Sequence, residues 1–336
     1  MTHELKNIIR KYQENSKMQR AVLASVCALD GSSYRRPGVR MLLFEDGTME
    51  GAVSGGCVEK EIQRQAELVF SSGVPRIMIY DGRYKLGCEG VLYILIEPFS
   101  PDQQFLDSFW KHIEMRSPLK IISQFTRAQE EDHQLGSFFE FDGSVYPLRK
   151  GMDRATELEQ FEQELAPCFR LLIIGGEHDA VSLCRQASNL GWEVHIVTHP
   201  TDEKTLQNFS GATHFSKITA EEVSSVETDQ ETAVMLMTHS YAKDLQFLMA
   251  LKEHKVAYLG ILGPSARREE LLNEFMERCP DVNEEFMNDI YGPAGLNIGA
   301  ETAQEIGISI LSEILSVIRA EQVVPLRDKE GRIHSS

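Results

Sequence analysis

The chain of 336 residues contains no run of about 18 consecutive apolar residues, so nothing in it reads as a membrane-spanning helix. Residues 1–20 are polar and lack the apolar stretch of a signal peptide, which points to a cytoplasmic protein. No Cys-x-x-Cys pair occurs. The six cysteines stand far apart, at 27, 57, 88, 168, 184 and 279. In a cytoplasmic setting they are expected as free thiols, most of them small buried apolar residues. Basic residues are few: 34 Lys and Arg face 51 Asp and Glu, a formal net charge of −17. That deficit excludes a general nucleic-acid binder working through a basic surface. An anionic ligand would need a local cluster of arginines or backbone N–H groups. Internal repeats and low-complexity segments are also lacking. What is present, 42% apolar and 25% charged residues, is the composition of a water-soluble globular protein long enough for about two domains.

Leu5, Ile8, Ile9 and Tyr12 fall at helical spacing and predict a short N-terminal helix. Strands are expected at 21–28 and 39–44, the second closed by the turn Glu45-Asp46-Gly47. Val58, Ile62, Ala66 and Val69 place the start of a helix near Cys57. Residues 76–80 and 91–96 read as further strands. A short helix around 103–115 and two or three strands follow, and the acidic stretch 155–165 reads as a solvated linker helix. From Phe169 the pattern changes. Residues 171–174 form a continuous apolar run, as in a strand buried on both faces. A helix to 190 follows, with Gly191 just past its end. Strands at 193–197, 233–237 and 256–261 continue the alternation and argue for a parallel sheet. The fold class is therefore α/β. A mixed α/β domain (1–100) is joined by a connecting segment with strands and an acidic helix (101–167) to a Rossmann-like parallel-sheet domain (168–322), with a tail at 323–336.

A strand entering Gly175-Gly176 and then a helix is the first unit of a nucleotide-type fold. The loop reads Gly175-Gly176-Glu177-His178-Asp179-Ala180, with Glu177 where the fingerprint has its middle glycine. Asp179 suits the helix dipole but repels a phosphate. After the second strand stands Thr198-His199-Pro200, where an acidic residue would hold a ribose. Two other loops suit an anion better. Gly260 to Arg268 offers Gly263, Ser265, Arg267 and Arg268 before a helix. Gly292 to Gly299, with Gly295, precedes the capping box Thr302-Ala-Gln-Glu305. Each is equally readable as a tight turn into a core helix. His178 and His239 sit at strand ends, where histidines are more often hydrogen-bonded fixtures than metal ligands.

The densest unusual stretch is Gly31-Ser32-Ser33-Tyr34-Arg35-Arg36-Pro37-Gly38-Val39-Arg40, followed by Ser54-Gly55-Gly56-Cys57-Val58-Glu59. Arg35, Arg36 and Arg40 stand out in an acidic chain. Small residues before Cys57 expose backbone N–H groups at a helix start, a setting that binds anions and lowers a thiol pKa. Cys88 lies in a second glycine-rich turn, Gly87-Cys88-Glu89-Gly90. Thiolates suit a thiophilic metal.

These motifs, with Thr238-His239, Asp244, Gly260 to Gly263 and Pro293 to Thr302, resemble the xanthine dehydrogenase accessory proteins, the XdhC/CoxI family. The likeness covers roughly 21–98 and 169–320. The chain departs from the family pattern at Glu89, Glu177 and His199, where glycine, glycine and an acidic residue are usual, and at Tyr34, usually proline. The resemblance implies a non-catalytic accessory factor that binds molybdenum cofactor, a molybdopterin, and helps deliver it to a xanthine dehydrogenase-type molybdenum hydroxylase. A cysteine-desulfurase-type sulfurase as second partner and a homodimer are implied in the same way. By that likeness Cys57 and Cys88 contact the metal or dithiolene. Arg35, Arg36 and Arg40 are candidates for the phosphate, and Ser32, Ser33, Ser54, Gly55 and Gly56 line the same site. Gly175, Gly176, His178, Gly263, Arg267 and Gly295 are candidate binding residues of the second half. The competing readings are an NAD(P)-dependent oxidoreductase working from the Rossmann-like half and a non-catalytic divergent paralogue.

Overall fold

The computed structural model describes residues 1–16, 18–31, 36–54, 56–82 and 90–329. The chain divides into two compact units, Met1–Pro167 and Cys168–Ser336.

In the first unit, helix α1 (Thr2–Asn15) buries Leu5, Ile8, Ile9 and Tyr12, the four residues at helical spacing. Five strands follow, with one helix among them: β1 (Ala21–Asp30), β2 (Arg40–Phe44), β3 (Met49–Gly51), α2 (Cys57–Ser72), β4 (Arg76–Asp81) and β5 (Val91–Phe99). They form an antiparallel sheet in the order β3-β2-β1-β5-β4. Side chains alternate across β1. Val22, Ala24 and Val26 pack with Val58, Ile62, Ala66 and Val69 of α2. Ala21 and Leu23 join the opposite core with α1. The β2–β3 turn uses Gly47 at φ 85°, a conformation that favours glycine.

The segment expected as a connection belongs to this same unit. Helix α3 (Gln103–Glu114) is capped by Asp102, whose Oδ1 accepts from Phe105 N at 2.8 Å. It is followed by β6 (Leu119–Phe125), β7 (Gly136–Phe141), β8 (Ser144–Pro147) and β9 (Glu159–Leu165), an antiparallel sheet in the order β8-β7-β6-β9. Its apolar residues Ile121, Phe139 and Leu165 share a core with Phe105 and Phe109 of α3 and with α1. The acidic linker helix is thus corrected: β9 is a strand, paired antiparallel with β6 from Leu119↔Leu165 to Phe125↔Glu159. Its exposure has period two, with Phe161, Gln163 and Leu165 turned inward between exposed Gln160, Glu162 and Glu164. The charge suggested a solvated helix, but alternation decides the element.

The second unit runs β10 (Arg170–Ile174), α4 (His178–Asn189), β11 (Glu193–Thr198), β12 (Ala212–Lys217), β13 (Thr232–Leu236), α5 (Tyr241–Leu251), β14 (Tyr258–Ile261), α6 (Ser265–Arg278), α7 (Glu284–Asn288), β15 (Ile290–Tyr291) and α8 (Ala303–Ile318). All six strands are parallel, in the order β12-β11-β10-β13-β14-β15. This is the doubly wound order of a Rossmann fold, with its reversal between β10 and β13. Leu171 and Ile173 face α4 and α8, while Leu172 and Ile174 face α5 and α6. The β10 strand is buried on both sides, which is why it reads as an unbroken apolar run. Gly191 follows α4 at φ 79°. Among the described residues no helix is long and apolar enough to cross a membrane. Cys27, Cys168, Cys184 and Cys279 are buried free thiols.

Candidate functional site

The five-stranded sheet gathers the signature motifs at one of its ends. Asp30, the last residue of β1, pairs with Val91, the first of β5, and Val91 pairs with Asp81, the last of β4. Gly82 N donates to Gly90 O at 3.0 Å, so the segment bearing Cys88 leaves and returns beside Asp30-Gly31. On the other flank, Gly38 and Val39 extend the β1 pairing through hydrogen bonds of 2.8 and 3.0 Å with Val26. Gly51, at the end of β3, pairs with Met41 next to Arg40. The described residues that flank the Ser32 segment, the Ser54–Cys57 turn and the Cys88 segment therefore all lie at one end of the sheet. Ser32, Ser33, Arg35, Gly55 and Cys88, with the side chain of Cys57, lie outside the described residues. Arg36 is exposed at the edge of its segment.

Helix α2 begins at Cys57, as the spacing predicts. Its entry turn is built by Glu59, a residue to which the sequence motif by itself gives no role. Glu59 Oε2 accepts from Gly56 N at 2.8 Å and Ser54 Oγ at 2.7 Å, and Oε1 accepts from Ser54 N. Burial raises the Glu59 carboxyl, but these hydrogen bonds outweigh it and hold the group below its ordinary value. The signal was readable: a Glu three residues into a helix closes a capping box. The consequence is chemical. The N–H groups of Ser54 and Gly56 are committed to Glu59 and are not offered to an anion.

Arg40 departs from its expected place. It is 7% exposed and lies in β2, where Nη1 donates to Gly38 O at 2.8 Å and to Gln163 Oε1 of β9. Burial pulls its guanidinium down to about 10 against the opposing influence of Cys27 and Glu97. Arg40 thus ties the strand after the signature segment to the second sheet. A residue that sequence reasoning missed lies beside the same end. Arg127, between β6 and β7, donates to Asp30 at 2.7 Å and to Glu159 at 3.0 Å and stands 5.1 Å over the Tyr93 ring. Hydrogen bonds from Tyr93 first and Arg127 second hold the Asp30 carboxyl below its ordinary value. Nothing local in the sequence signals this cluster, because Arg127 and Asp30 are 97 residues apart.

In the second unit, the loops after β10, β13 and β14 meet at the carboxyl end of the sheet, where open α/β sheets bind ligands. Gly175 has φ 145°, and a Cβ there would lie 2.3 Å from Met237 O. Gly176 is crowded too: a Cβ would meet Asp202 Oδ2 and Thr198 Cγ2 at 3.1 Å and Lys204 Cδ at 3.3 Å. Glu177 Oε1 lies 3.4 Å from Lys204 Nζ. His178 is exposed in the first turn of α4. His239 Nε2 lies 3.2 Å from Asp179 Oδ2. Among the described residues no three His, Cys, Asp or Glu side chains converge as metal ligands.

Two anion candidates here have partners within the chain. Arg267, beside Gly263, donates to Leu262 O at 3.0 Å and to the fully buried Asp244 Oδ2 at 2.7 Å, so it braces its loop. Gly295 N donates to Glu313 Oε2 at 2.8 Å, and a Cβ there would strike Ser309 Oγ at 2.4 Å. That glycine allows close packing on α8.

Known proteins place this arrangement. Residues 16–81 match the model of the XdhC and CoxI family, and residues 171–314 match that of the XdhC Rossmann domain. A protein of Bacillus subtilis (strain 168), named as one of the probable xanthine dehydrogenase subunits, is 25% identical over 328 residues, covering 91% of this chain and 96% of that protein. The molybdenum cofactor insertion chaperone PaoD of Escherichia coli (strain K12) is 28% identical over 302 residues, covering 88% and 83%. A solved structure described as a xanthine dehydrogenase from Bacillus halodurans superposes with a TM-score of 0.77 at 26% identity, covering 95% of this chain and 98% of that one. With one family model on each unit and relatives aligned along nearly the whole length, the chain belongs to the XdhC/CoxI family.

Proposed function

We propose that the protein is an accessory factor that binds molybdenum cofactor and assists its maturation and insertion into a molybdenum hydroxylase of the xanthine dehydrogenase type. The observation that carries this reading is that the described residues flanking the three signature segments lie together at one end of the first sheet. The donor set they bring fits the group. Thiols at Cys57 and Cys88 suit a thiophilic metal, and guanidiniums at Arg35 and Arg36 suit a phosphate. Ser32, Ser33, Ser54, Gly55 and Gly56 supply small polar lining. The bound cofactor would supply the molybdenum chemistry of the recipient enzyme. The chain's own residues bind, orient and shield it, and Glu59 fixes the turn that leads into Cys57. The setting is cytoplasmic, the form a homodimer, and a cysteine-desulfurase-type sulfurase is a second partner.

Support also comes from the insertion-chaperone relative, aligned over 88% of this chain. An NAD(P)-dependent oxidoreductase is the less favoured reading, because Glu177 and the packing over Gly176 crowd the place of a pyrophosphate. The test is molybdenum by mass spectrometry with pterin fluorescence after acid oxidation, on protein co-expressed with the cofactor pathway. Near-stoichiometric metal and pterin, lost in Cys57→Ala, are expected. Wild-type protein free of both would overturn the proposal.

A further inference from the structure

We propose that strand β9 of the second sheet sets the spacing between the two roots of the segment that carries Arg35 and Arg36, with Arg127 as a positioning residue for the cofactor, an inference that rests on the cofactor-binding reading above. The segment leaves β1 at Asp30, its last residue, and rejoins it at Gly38, whose N–H donates to Val26 O at 2.8 Å. Each root has its own hydrogen bonds, and both sets lead to β9.

At the first root the Asp30 carboxylate is held from two sides. Tyr93 Oη donates to Oδ2 at 2.9 Å, and Arg127 Nη1 donates to Oδ1 at 2.7 Å. Arg127 Nε donates in turn to Glu159 Oε2, at the start of β9, at 3.0 Å. The Tyr93 ring lies 5.1 Å from this guanidinium and limits its swing. The chain then turns at Gly31, φ 86°, a left-handed conformation that suits glycine. The place of Asp30 therefore decides where the segment starts.

At the second root, Gly38 O accepts from Arg40 Nη1 at 2.8 Å, and the same nitrogen donates to Gln163 Oε1 of β9. Gly38 has φ 97°, and a Cβ there would strike the Gln163 amide, so β9 seats directly against this root. Glu159 and Gln163 are four residues apart on one face of an extended strand, a span of about 13 Å. Val26, which holds Gly38, and Asp30 are likewise four residues apart on β1. Pairing with β6 from Leu119↔Leu165 to Phe125↔Glu159 keeps β9 in register. Arg127 stands between two carboxylates and so acts through the segment rather than on an anion itself. The side chains of Arg127, Asp30 and Glu159 are 45%, 53% and 50% exposed, and pairs this exposed add little to folding stability. Their effect on position is therefore separable from an effect on folding.

The test uses the full chain co-expressed with the cofactor pathway. Pterin fluorescence after acid oxidation follows cofactor release during dialysis, and hydrogen exchange follows residues 28–31 in protein stripped of cofactor. Arg127→Ala should release cofactor about tenfold faster, the scale on which outer partners of a metal group act, and should speed exchange at 28–31 with the thermal midpoint unchanged. Glu159→Ala, which cuts Arg127 from β9, should also speed release, and Arg127→Lys, which keeps a donor for Asp30, should restore much of the retention. Arg20→Ala breaks another exposed pair, with Glu45 at the opposite end of the same sheet, and should change neither release nor exchange at 28–31. Unchanged release from Arg127→Ala or Glu159→Ala beside a loaded wild type, or unchanged exchange at 28–31 in Arg127→Ala, would overturn this inference and leave the cofactor reading standing. The same losses in Arg20→Ala would overturn it as well, as a general weakening of the fold. Wild-type protein without cofactor would overturn the cofactor reading and the positioning role together.

Discussion

At the scale of single residues, the two units show why identical residue types carry different loads. Gly47 and Gly175 both have positive φ, 85° and 145°. A Cβ on Gly47 meets nothing within 4 Å, whereas one on Gly175 lies 2.3 Å from Met237 O. Gly47→Ala should therefore cost about 1 kcal/mol, the strain alone, and Gly175→Ala roughly 3 kcal/mol or more, because the backbone must move. Urea unfolding of the two variants checks the ranking. Glu97, on β5, is 0% exposed and accepts from Ser137 N at 2.9 Å and Ser137 Oγ at 2.6 Å. Burial raises its carboxyl, although Ser137, Arg149 and Arg40 oppose it. Above the ordinary carboxylate value the folded protein holds a proton that the unfolded chain has released, so this group's contribution to stability falls as pH rises through that window. The stability of wild type relative to Glu97→Gln should thus be greatest at and below the ordinary carboxylate value and decline as pH rises above it. A difference independent of pH would refute that assignment.

At the scale of elements, β9 does more than complete a sheet. Its Gln163 is the side-chain partner of the buried Arg40 guanidinium, across 123 residues of sequence. Gln163→Leu removes the side-chain acceptor of that buried cation, leaving it Gly38 O, and should cost about 3 kcal/mol, while Gln163→Glu, which restores an acceptor with charge, should recover much of the loss. Denaturation midpoints of the pair distinguish this from a simple packing effect, which both substitutions would disturb alike. Helix α8 is stabilised at its start by Thr302, whose Oγ1 accepts from Glu305 N at 3.3 Å while Glu305 Oε2 accepts from Thr302 N at 2.9 Å. Thr302→Ala should cost about 1 kcal/mol, measurable as a lowered midpoint of thermal unfolding.

At the scale of the whole molecule, two units with separate cores predict separable folding. Residues 168–336 expressed alone should give a cooperative thermal transition and retain the far-UV spectrum of a parallel α/β domain. A non-cooperative melt would contradict that independence. The candidate site was legible in the sequence as motifs: the Gly31–Arg40 stretch, the helix start at Cys57 and the glycine pair at Gly175 needed only local spacing to be found. So did α1, α2, the apolar β10 and the cap of α8, because periodicity, caps and turns are set by residues a few positions apart. Edge strand β12, two-residue β15 and acidic β9 gave weak or misleading local signals, since their pairing partners, not their own composition, make them strands. The same distinction divides the arginines. Their presence near a glycine-rich loop is a local fact, but whether a guanidinium is exposed depends on distant acceptors. Arg40 meets Gln163 and Arg267 meets Asp244, and hydrogen bonds to those partners make both into braces. The sequence by itself determined the fold class, the family and the signature segments, through short-range patterns. Only the tertiary structure decided which charges face outward, which strand ends meet, and that Asp179 and His239 stand together, because those outcomes rest on contacts between residues far apart in the chain.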